Sequence, residues 1–278
     1  MGAQAELPNI PVRAIRFLAD MSHEPAAEAL APQASYRELS RQPLASLAFV
    51  APLLAVYETG VLALGPKALR NGVDVWLRGL LEWLDFGNYF LLPVLVVGIL
   101  LGWHHTTRLP WRVPRGVLWG MAAECLVLAF CLRGLSHLAA LGLHACLGSL
   151  FGEPPTVALS PDAAVSLART IGFLGAGVYE ELLFRLILLS AAVWAARRAG
   201  LGDTVALVAA VIATSAVFAA AHYVGPYGEP IQWRAFAFWY GLIFRFLAGV
   251  FFSVLFAVRG FGIAAGAHAG YDILVKIL

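Results

Sequence analysis

The sequence predicts an all-α protein, a polytopic bundle of about seven to eight transmembrane helices with one amphipathic helix at the membrane interface. Of its 278 residues, 60% are hydrophobic and only 13% are charged. An average soluble domain is roughly a quarter charged, so 19 Lys and Arg with 17 Asp and Glu are too few to cover a soluble surface. The composition argues against a soluble enzyme, a disordered chain and, with a formal net charge of only +2, a nucleic-acid-binding protein.

The chain begins with a polar segment, residues 1–42, in which prolines recur. This segment lacks the early apolar run of a secretory signal. We predict a polar N-terminal tail over 1–42, with a short helix around 10–20, followed by a transmembrane domain over 43–278. The residues that suggest chemistry fall in the C-terminal core of that domain, 163–278.

Apolar stretches that suit membrane helices then follow in order. A bilayer core requires about 20 predominantly apolar residues per helix. The predicted spans are residues 43–65, 86–103, 115–136, 163–197, 203–223, 234–258 and 261–277. Residues 137–150 either extend the third span or form an additional short one. The stretch 163–197 is too long for one straight crossing, and Gly172, Gly175 and Gly177 offer a kink or a break in it, just before the charged centre.

Residues 67–84 mix charged side chains with tryptophans and leucines. This pattern is typical of an amphipathic helix that lies in the membrane interface. Basic residues are more numerous on one side of the predicted spans, and the positive-inside rule then puts the N-terminus in the cytoplasm. The composition is rich in Ala, Leu, Arg and Gly, which suggests a bacterial source. We therefore expect a multi-pass protein of the bacterial inner membrane.

Ionisable residues inside the predicted spans are functional candidates, because charge is costly within a bilayer. The densest group lies in Tyr179–Arg185. Glu181 and Arg185 are four residues apart on one helix face, so they can form an ion pair. Glu180 points about 100° away, which leaves it available for general acid or base catalysis. In the structural alternative, both glutamates belong to an ion network with Arg185 and Arg245.

Two histidines in later spans supply possible partners for such a carboxylate. Phe218 and His222 share a helix face at the end of the fifth span, and His268 and Asp272 share one in the last span. Each histidine alone is well explained as a hydrogen-bonded core residue. Together with the acidic pair, they predict one convergent polar site. Small residues around His268 allow close helix packing there.

Glu124, in the third predicted span, is a further charged residue within the membrane region. It lies apart from the acidic pair and the two histidine motifs. We interpret it as structural and predict that it pairs with Arg185 or Arg245.

The three motifs occur in the order Glu180-Glu181-x-x-x-Arg185, Phe218-x-x-x-His222 and His268-x-x-x-Asp272. This arrangement resembles the CAAX protease and bacteriocin-processing family, whose members are multi-span α-helical intramembrane endopeptidases of the glutamic type. The resemblance covers residues 170–275 approximately. It departs from the family pattern at the last motif, which usually ends in Asn.

The resemblance implies a catalytic role for four residues. Glu180 would be the general base that takes a proton from water, and His222 would position that water. His268, with Asp272, would polarise the scissile carbonyl and stabilise the oxyanion. Because an ionised aspartate stabilises an oxyanion poorly, Asp272 would either orient His268 or be kept neutral by burial.

The resemblance also implies supporting roles and partners. Glu181 and Arg185 would hold their helix and set the electric field around Glu180, while Phe218 packs beside His222. The implied partners are a peptide or protein substrate in or near the membrane and the lipid bilayer, without nucleic acid. Prenylated C-terminal CAAX proteins, bacteriocin precursors and proteins with C-terminal sorting tags are the candidate substrates.

Two alternatives stay open at this point. Zinc bound by Glu180, His222 and His268 is chemically reasonable, but we expect no metal and no cofactor. A non-catalytic membrane scaffold or a proton-coupled transporter would also keep a buried Glu, His and Arg cluster. A transporter tends to show internal repeats, and we find none in this sequence.

Overall fold

The computed structural model describes residues 34–87, 89–151, 163–225 and 228–277. Within these ranges the regular structure is helical, without strands. The predicted all-α class is therefore confirmed. The short helix expected around residues 10–20 falls outside the described residues.

The helices follow one another through short connections. In chain order they are α1 (Tyr36–Ser40), α2 (Pro43–Leu64), α3 (Gly72–Trp83), α4 (Leu91–Thr107), α5 (Arg115–Phe151), α6 (Ala163–Glu181), α7 (Ser190–Arg198), α8 (Asp203–Ala221), α9 (Phe236–Arg259) and α10 (Phe261–Ile277). A π-helix, Leu182–Leu189, joins α6 directly to α7. A short 3-10 turn, Gly65–Lys67, extends α2.

Several of these helices suit a membrane. By length and composition, four helices in the described part of the chain could cross one, namely α2, α5, α8 and α9, and α4 is apolar but shorter. Large apolar side chains stay exposed on these helices, among them Val94, Val127, Leu138 and Val208, and exposed apolar surface of this kind marks contact with lipid or protein. The chain is an integral membrane protein, and the total of seven or eight spans stays a prediction.

The two uncertain stretches of the sequence are resolved differently. Residues 137–150 belong to α5, so they extend the third predicted span. A break at Gly172, Gly175 and Gly177 is wrong, because α6 runs through all three and the irregular π-helix begins only after Glu181. A kink there stays a prediction, and each of the three glycines packs closely against another part of the chain.

Close packing is clearest at α10, the central helix of the bundle. It contacts α2, α5, α6 and α9. A Cβ atom added at Gly177 of α6 would lie 2.7 Å from the Ala265 carbonyl oxygen and 2.7 Å from the Ala269 Cβ. Only a residue without a side chain lets the backbones approach this closely. Gly177 therefore brings α6 against α10 about one turn before Glu180.

Glu124 connects α5 to the first residue of α1 and the last residue of α9, and not to Arg185 or Arg245 as predicted. It accepts hydrogen bonds from the Tyr36 hydroxyl at 2.6 Å and from the Arg259 guanidinium at 2.5 and 2.7 Å. The predicted partners were wrong because the helix that packs opposite a buried charge decides which residue pairs with it. Spacing along the chain does not contain that information.

The α3 helix is amphipathic, as predicted for residues 67–84. Val73 and Asp74 are buried, whereas Leu80 and Trp83 are exposed. The buried face packs on α6, the helix that ends with the acidic pair. An exposed apolar face suits a helix at a membrane interface.

Candidate active site

Three helices bring Glu180, His222 and His268 together. Glu180 lies near the end of α6, His222 directly follows α8, and His268 lies within α10. The Oε2 atom of Glu180 is 3.8 Å from His268 Nε2 and 4.0 Å from His222 Nε2. These distances are too long for direct hydrogen bonds but suit a bridging water. The structure thus brings together the acid and the two histidines that the motifs predicted to converge.

His268 is held in one orientation by its neighbours. Its Nδ1 atom is 2.7 Å from Glu181 Oε1, a hydrogen bond that assigns a proton to Nδ1. Its ring stacks on Phe252, with centroids 4.4 Å apart and planes 12° apart. The Nε2 atom then faces Glu180, and Asp272 Oδ2 lies 3.7 Å from the same nitrogen. Glu181 therefore orients His268, a contact that the sequence did not predict.

His222 is oriented by the backbone of its own helix. Its Nδ1 atom is 2.9 Å from the Phe218 carbonyl oxygen, which assigns the proton to Nδ1 and leaves Nε2 facing Glu180. The Phe218 ring stands edge-on to both histidines, with centroid distances of 5.0 Å to His222 and 6.2 Å to His268. Phe218 therefore packs against both imidazoles.

Arg185 lies on the buried side of the site and is only 1% exposed. Its NH1 atom is 3.0 Å from Glu181 Oε1, as the spacing of four residues predicted. Its NH2 donates to the Gly249 carbonyl oxygen at 3.3 Å, and its guanidinium lies 4.3 Å from the Phe218 ring centroid. Glu181 thus bridges Arg185 and His268 in one buried row.

Arg245 takes no part in this row. Its guanidinium forms an ion pair with Glu229 and donates to the Tyr223 hydroxyl at 3.1 Å. The alternative in which Arg245 shares an ion network with both glutamates is therefore wrong. Tertiary packing again decides the partner, because Arg245 of α9 contacts the segment that connects α8 to α9.

Glu180 has an unusual environment for a buried carboxylate. It is 8% exposed, and its Oε2 atom accepts no hydrogen bond from the described residues. An unpaired buried acceptor is costly, so proteins rarely keep one without a functional reason. Glu180 and His222 line a cavity of about 100 Å³, together with Trp76, Phe184 and Glu229. The carboxylate therefore lies in the wall of a cavity that is large enough for water.

Residues 163–274 match a protein-family model described as type II CAAX prenyl endopeptidase Rce1-like. The resemblance to the CAAX proteases is confirmed. The matched segment contains every motif residue from Glu180 to Asp272, whereas residues 1–162 lie outside it. The family implies protease activity, and with the apolar helices it indicates a membrane-bound hydrolase. A search of curated proteins and a search of solved structures each gave no match.

The matched segment includes the three residues that we considered as zinc ligands, Glu180, His222 and His268. Across the ranges that the structure describes, no group of three or more His, Cys, Asp or Glu side chains has the arrangement of a metal site. The expectation of a cofactor-free protein stays a prediction.

A second buried network lies beside the candidate active site, and the sequence did not predict it. We name it the α3 anchor; its members are Tyr57, Glu58, Asp74, Arg78 and Tyr179. Arg78 donates from Nε to Asp74 at 2.7 Å and from NH2 to both Glu58 oxygens at 2.9 and 3.1 Å. Tyr57 donates to Asp74 at 2.9 Å, and Tyr179 donates to Glu58. The anchor fastens α3 to α2 and α6.

Part of the α3 anchor had a signal in the sequence. Asp74 and Arg78 are four residues apart within the predicted amphipathic helix, and Glu58 is an isolated acid in the first predicted span. No local pattern joins these residues to Tyr179, because that contact forms only when α2, α3 and α6 pack together.

Proposed function

We propose that the protein is a glutamic-type intramembrane endopeptidase that hydrolyses a peptide bond of a membrane-associated substrate. The observation that carries the proposal is the position of Glu180 Oε2, 4.0 Å from His222 Nε2 and 3.8 Å from His268 Nε2, beside a cavity. One carboxylate and two imidazoles are sufficient for acid and base catalysis. The family match supports protease activity independently.

In this mechanism, Glu180 is the general base. It takes one proton from a water molecule. The second O–H of this water donates a hydrogen bond to the unprotonated Nε2 of His222. The water oxygen attacks the scissile carbonyl carbon and forms a tetrahedral intermediate. Glu180 then gives the proton to the amine nitrogen as the C–N bond breaks, so that no covalent acyl-enzyme forms.

His268 stabilises the negative oxygen of that intermediate. In the imidazolium form both ring nitrogens are donors, and Nδ1 already donates to Glu181 at 2.7 Å. The Nε2 donor is then directed at the carbonyl oxygen of the substrate, which is the role of an oxyanion hole. Asp272, 3.7 Å from Nε2, favours the imidazolium by its charge. Its role is to support His268 rather than to contact the oxyanion.

Glu181, Arg185 and Phe218 support the reacting groups. Glu181 fixes the orientation of His268, and Arg185 balances the charge of Glu181 in the buried interior. Phe218 packs edge-on against both imidazoles. We propose that none of the three contacts the reacting atoms.

The proposed substrate is a protein or peptide precursor with a C-terminal tag that is presented at the membrane. A C-terminal C-a-a-X motif, which carries a prenyl group on its cysteine, is the first tag to test, because the matching family is described by it. We place the protein in a bacterial inner membrane with its N-terminus in the cytoplasm. We propose that residues 43–278 contain the protease domain and that no nucleic acid is involved.

The test uses the full-length protein in detergent and a prenylated peptide that ends in C-a-a-X, with a fluorophore before the motif and a quencher on a side chain of its last three residues, so that the terminal carboxylate stays free. We expect Glu180→Gln to reduce kcat about a thousandfold, because it removes the general base while keeping the size of the side chain. Glu82→Gln is the matched control, since Glu82 is an exposed residue of α3. It should cleave at the wild-type rate.

Two other results would contradict parts of the proposal. Cleavage at the wild-type rate by Glu180→Gln would exclude Glu180 as the base. Loss of activity on treatment with a metal chelator, restored by Zn²⁺, would show that the metal-free mechanism is wrong. We expect the chelator to leave the rate unchanged.

A further inference from the structure

Arg245 is an arginine within one of the helices that could span the membrane, and its side chain is 20% exposed. Its NH1 atom donates to Glu229 Oε2 at 2.9 Å, and its NH2 atom donates to Glu229 Oε1. This two-pronged contact is the geometry in which a guanidinium recognises a carboxylate. NH1 also donates to the Tyr223 hydroxyl at 3.1 Å.

The carboxylate that fills this guanidinium fork is at the cavity of the active site. Glu229 lines the same cavity as Glu180 and His222. Its backbone N–H donates to the His222 carbonyl oxygen at 2.9 Å. The Arg245–Glu229 pair therefore lies close to the proposed site of cleavage.

Space for the guanidinium is provided by Gly241. A Cβ atom at this position would lie 3.1 Å from Arg245 NH1 and 2.9 Å from the Tyr223 hydroxyl oxygen. Tyr223 directly follows His222 in the chain, so its side chain links the fork to a proposed catalytic histidine. The fork is thus built by three elements: α9, the end of α8 and the segment that connects them.

A purely structural role explains this pair poorly. The Glu229 side chain is 54% exposed, and ion pairs with an exposed partner contribute little to stability. An arginine inside a span is costly to keep. An exposed partner can, however, leave the fork easily, and another carboxylate can then take its place.

We propose that Arg245 binds the terminal α-carboxylate of the substrate and that Glu229 occupies the fork when no substrate is bound. This inference rests on the proposed function and narrows its substrate class to chains that end close to the scissile bond. Any bond within a C-a-a-X motif lies at most three residues from the terminal carboxylate. Three extended residues span about 10 Å. A guanidinium fork beside the site can therefore bind the terminal carboxylate while the scissile bond lies at Glu180.

The experiment compares two forms of one peptide with wild-type protein. The prenylated C-a-a-X peptide is prepared with a free C-terminal carboxylate and with a C-terminal amide, which has the same size but no charge. We expect kcat/KM to be at least about tenfold higher for the free acid, because hydrogen bonds to charged groups are among the stronger ones. Equal values for the acid and the amide would overturn the inference.

Variants then test whether Arg245 is the residue responsible. Arg245→Gln should bring the ratio of kcat/KM for acid over amide close to one, and Arg245→Lys, which keeps the charge but not the fork, should give an intermediate ratio. Arg234→Gln is the matched control. Arg234 is exposed and lies in the segment that connects α8 to α9, and the variant should keep the wild-type ratio. A wild-type ratio in both Arg245 variants would overturn the inference. The ratio is measured within each preparation, so it does not depend on the fraction of folded protein.

Glu229→Ala tests the second half of the proposal. Because the variant lacks the competing carboxylate, its KM for the acid peptide should fall while its KM for the amide changes less. An unchanged or higher KM for the acid would show that Glu229 does not compete for the fork. Glu180→Gln separates the two proposals, because failure of the proposed function would leave both peptides cleaved by that variant.

Discussion

Two buried clusters of charged side chains meet at the end of α6. They differ in how fully their hydrogen bonds are satisfied. In the α3 anchor, both oxygens of Glu58 and both oxygens of Asp74 accept hydrogen bonds. In the active site, one oxygen of Glu180 and one of Glu181 accept none from the described residues. Tyr179 belongs to the first cluster and Glu180, the next residue, to the second.

This difference separates a structural network from a reactive one. A buried charge is stable in the folded protein when all of its hydrogen bonds are formed. Removing one of its partners is strongly destabilising. A buried carboxylate with an unused acceptor is available to water and substrate. Both clusters contain Glu, Asp and Arg, so the surroundings of the carboxylates, including the two histidines of the candidate site, distinguish them.

The largest expected effect is on the α3 anchor. Glu58→Gln should lower the free energy of unfolding by about 3–5 kcal/mol, because it leaves Arg78 buried without its full charge partner. Thermal unfolding in detergent measures this effect. Glu180→Gln should shift the unfolding temperature much less, although it removes activity. Equal destabilisation by the two substitutions would break the distinction between the clusters.

A smaller effect is expected where α6 meets α10. Gly177→Ala should cost about 1–3 kcal/mol of stability, since the added methyl group overlaps the Ala265 carbonyl oxygen. The same displacement should separate Glu180 from His268, so kcat should fall by a larger factor than the loss of folded protein explains. Gly134→Ala, at a position where a Cβ meets no atom within 4 Å, is the control. Unchanged kcat in Gly177→Ala would show that the site tolerates this movement.

The smallest expected effect is at an exposed ion pair. Asp203 is 58% exposed and lies 3.0 Å from Arg197. Asp203→Asn should change stability by less than about 1 kcal/mol and leave cleavage unchanged, because solvent screens such pairs. A loss comparable to that of Glu58→Gln would mean that burial does not separate strong from weak ion pairs in this protein.

Much of the fold and part of the site were predictable. The helical class and most helix positions follow from the lengths of apolar runs, and the Glu181–Arg185 pair follows from a spacing of four residues. The partner of Glu124 and a break at the glycines were predicted wrongly. The partner depends on helix packing, and Gly177 lies within a continuous helix, in close contact with α10.

By itself the sequence determined an all-α membrane protein and indicated the residues that we propose for its chemistry, because hydropathy and helical spacing are local properties. Only the tertiary structure decided that Glu181 orients His268, that Arg245 pairs with Glu229, and that the α3 anchor forms beside the active site. Each of these contacts joins residues from different elements. Which faces of two helices meet depends on the packing of the whole bundle, and that information is not contained in any one segment.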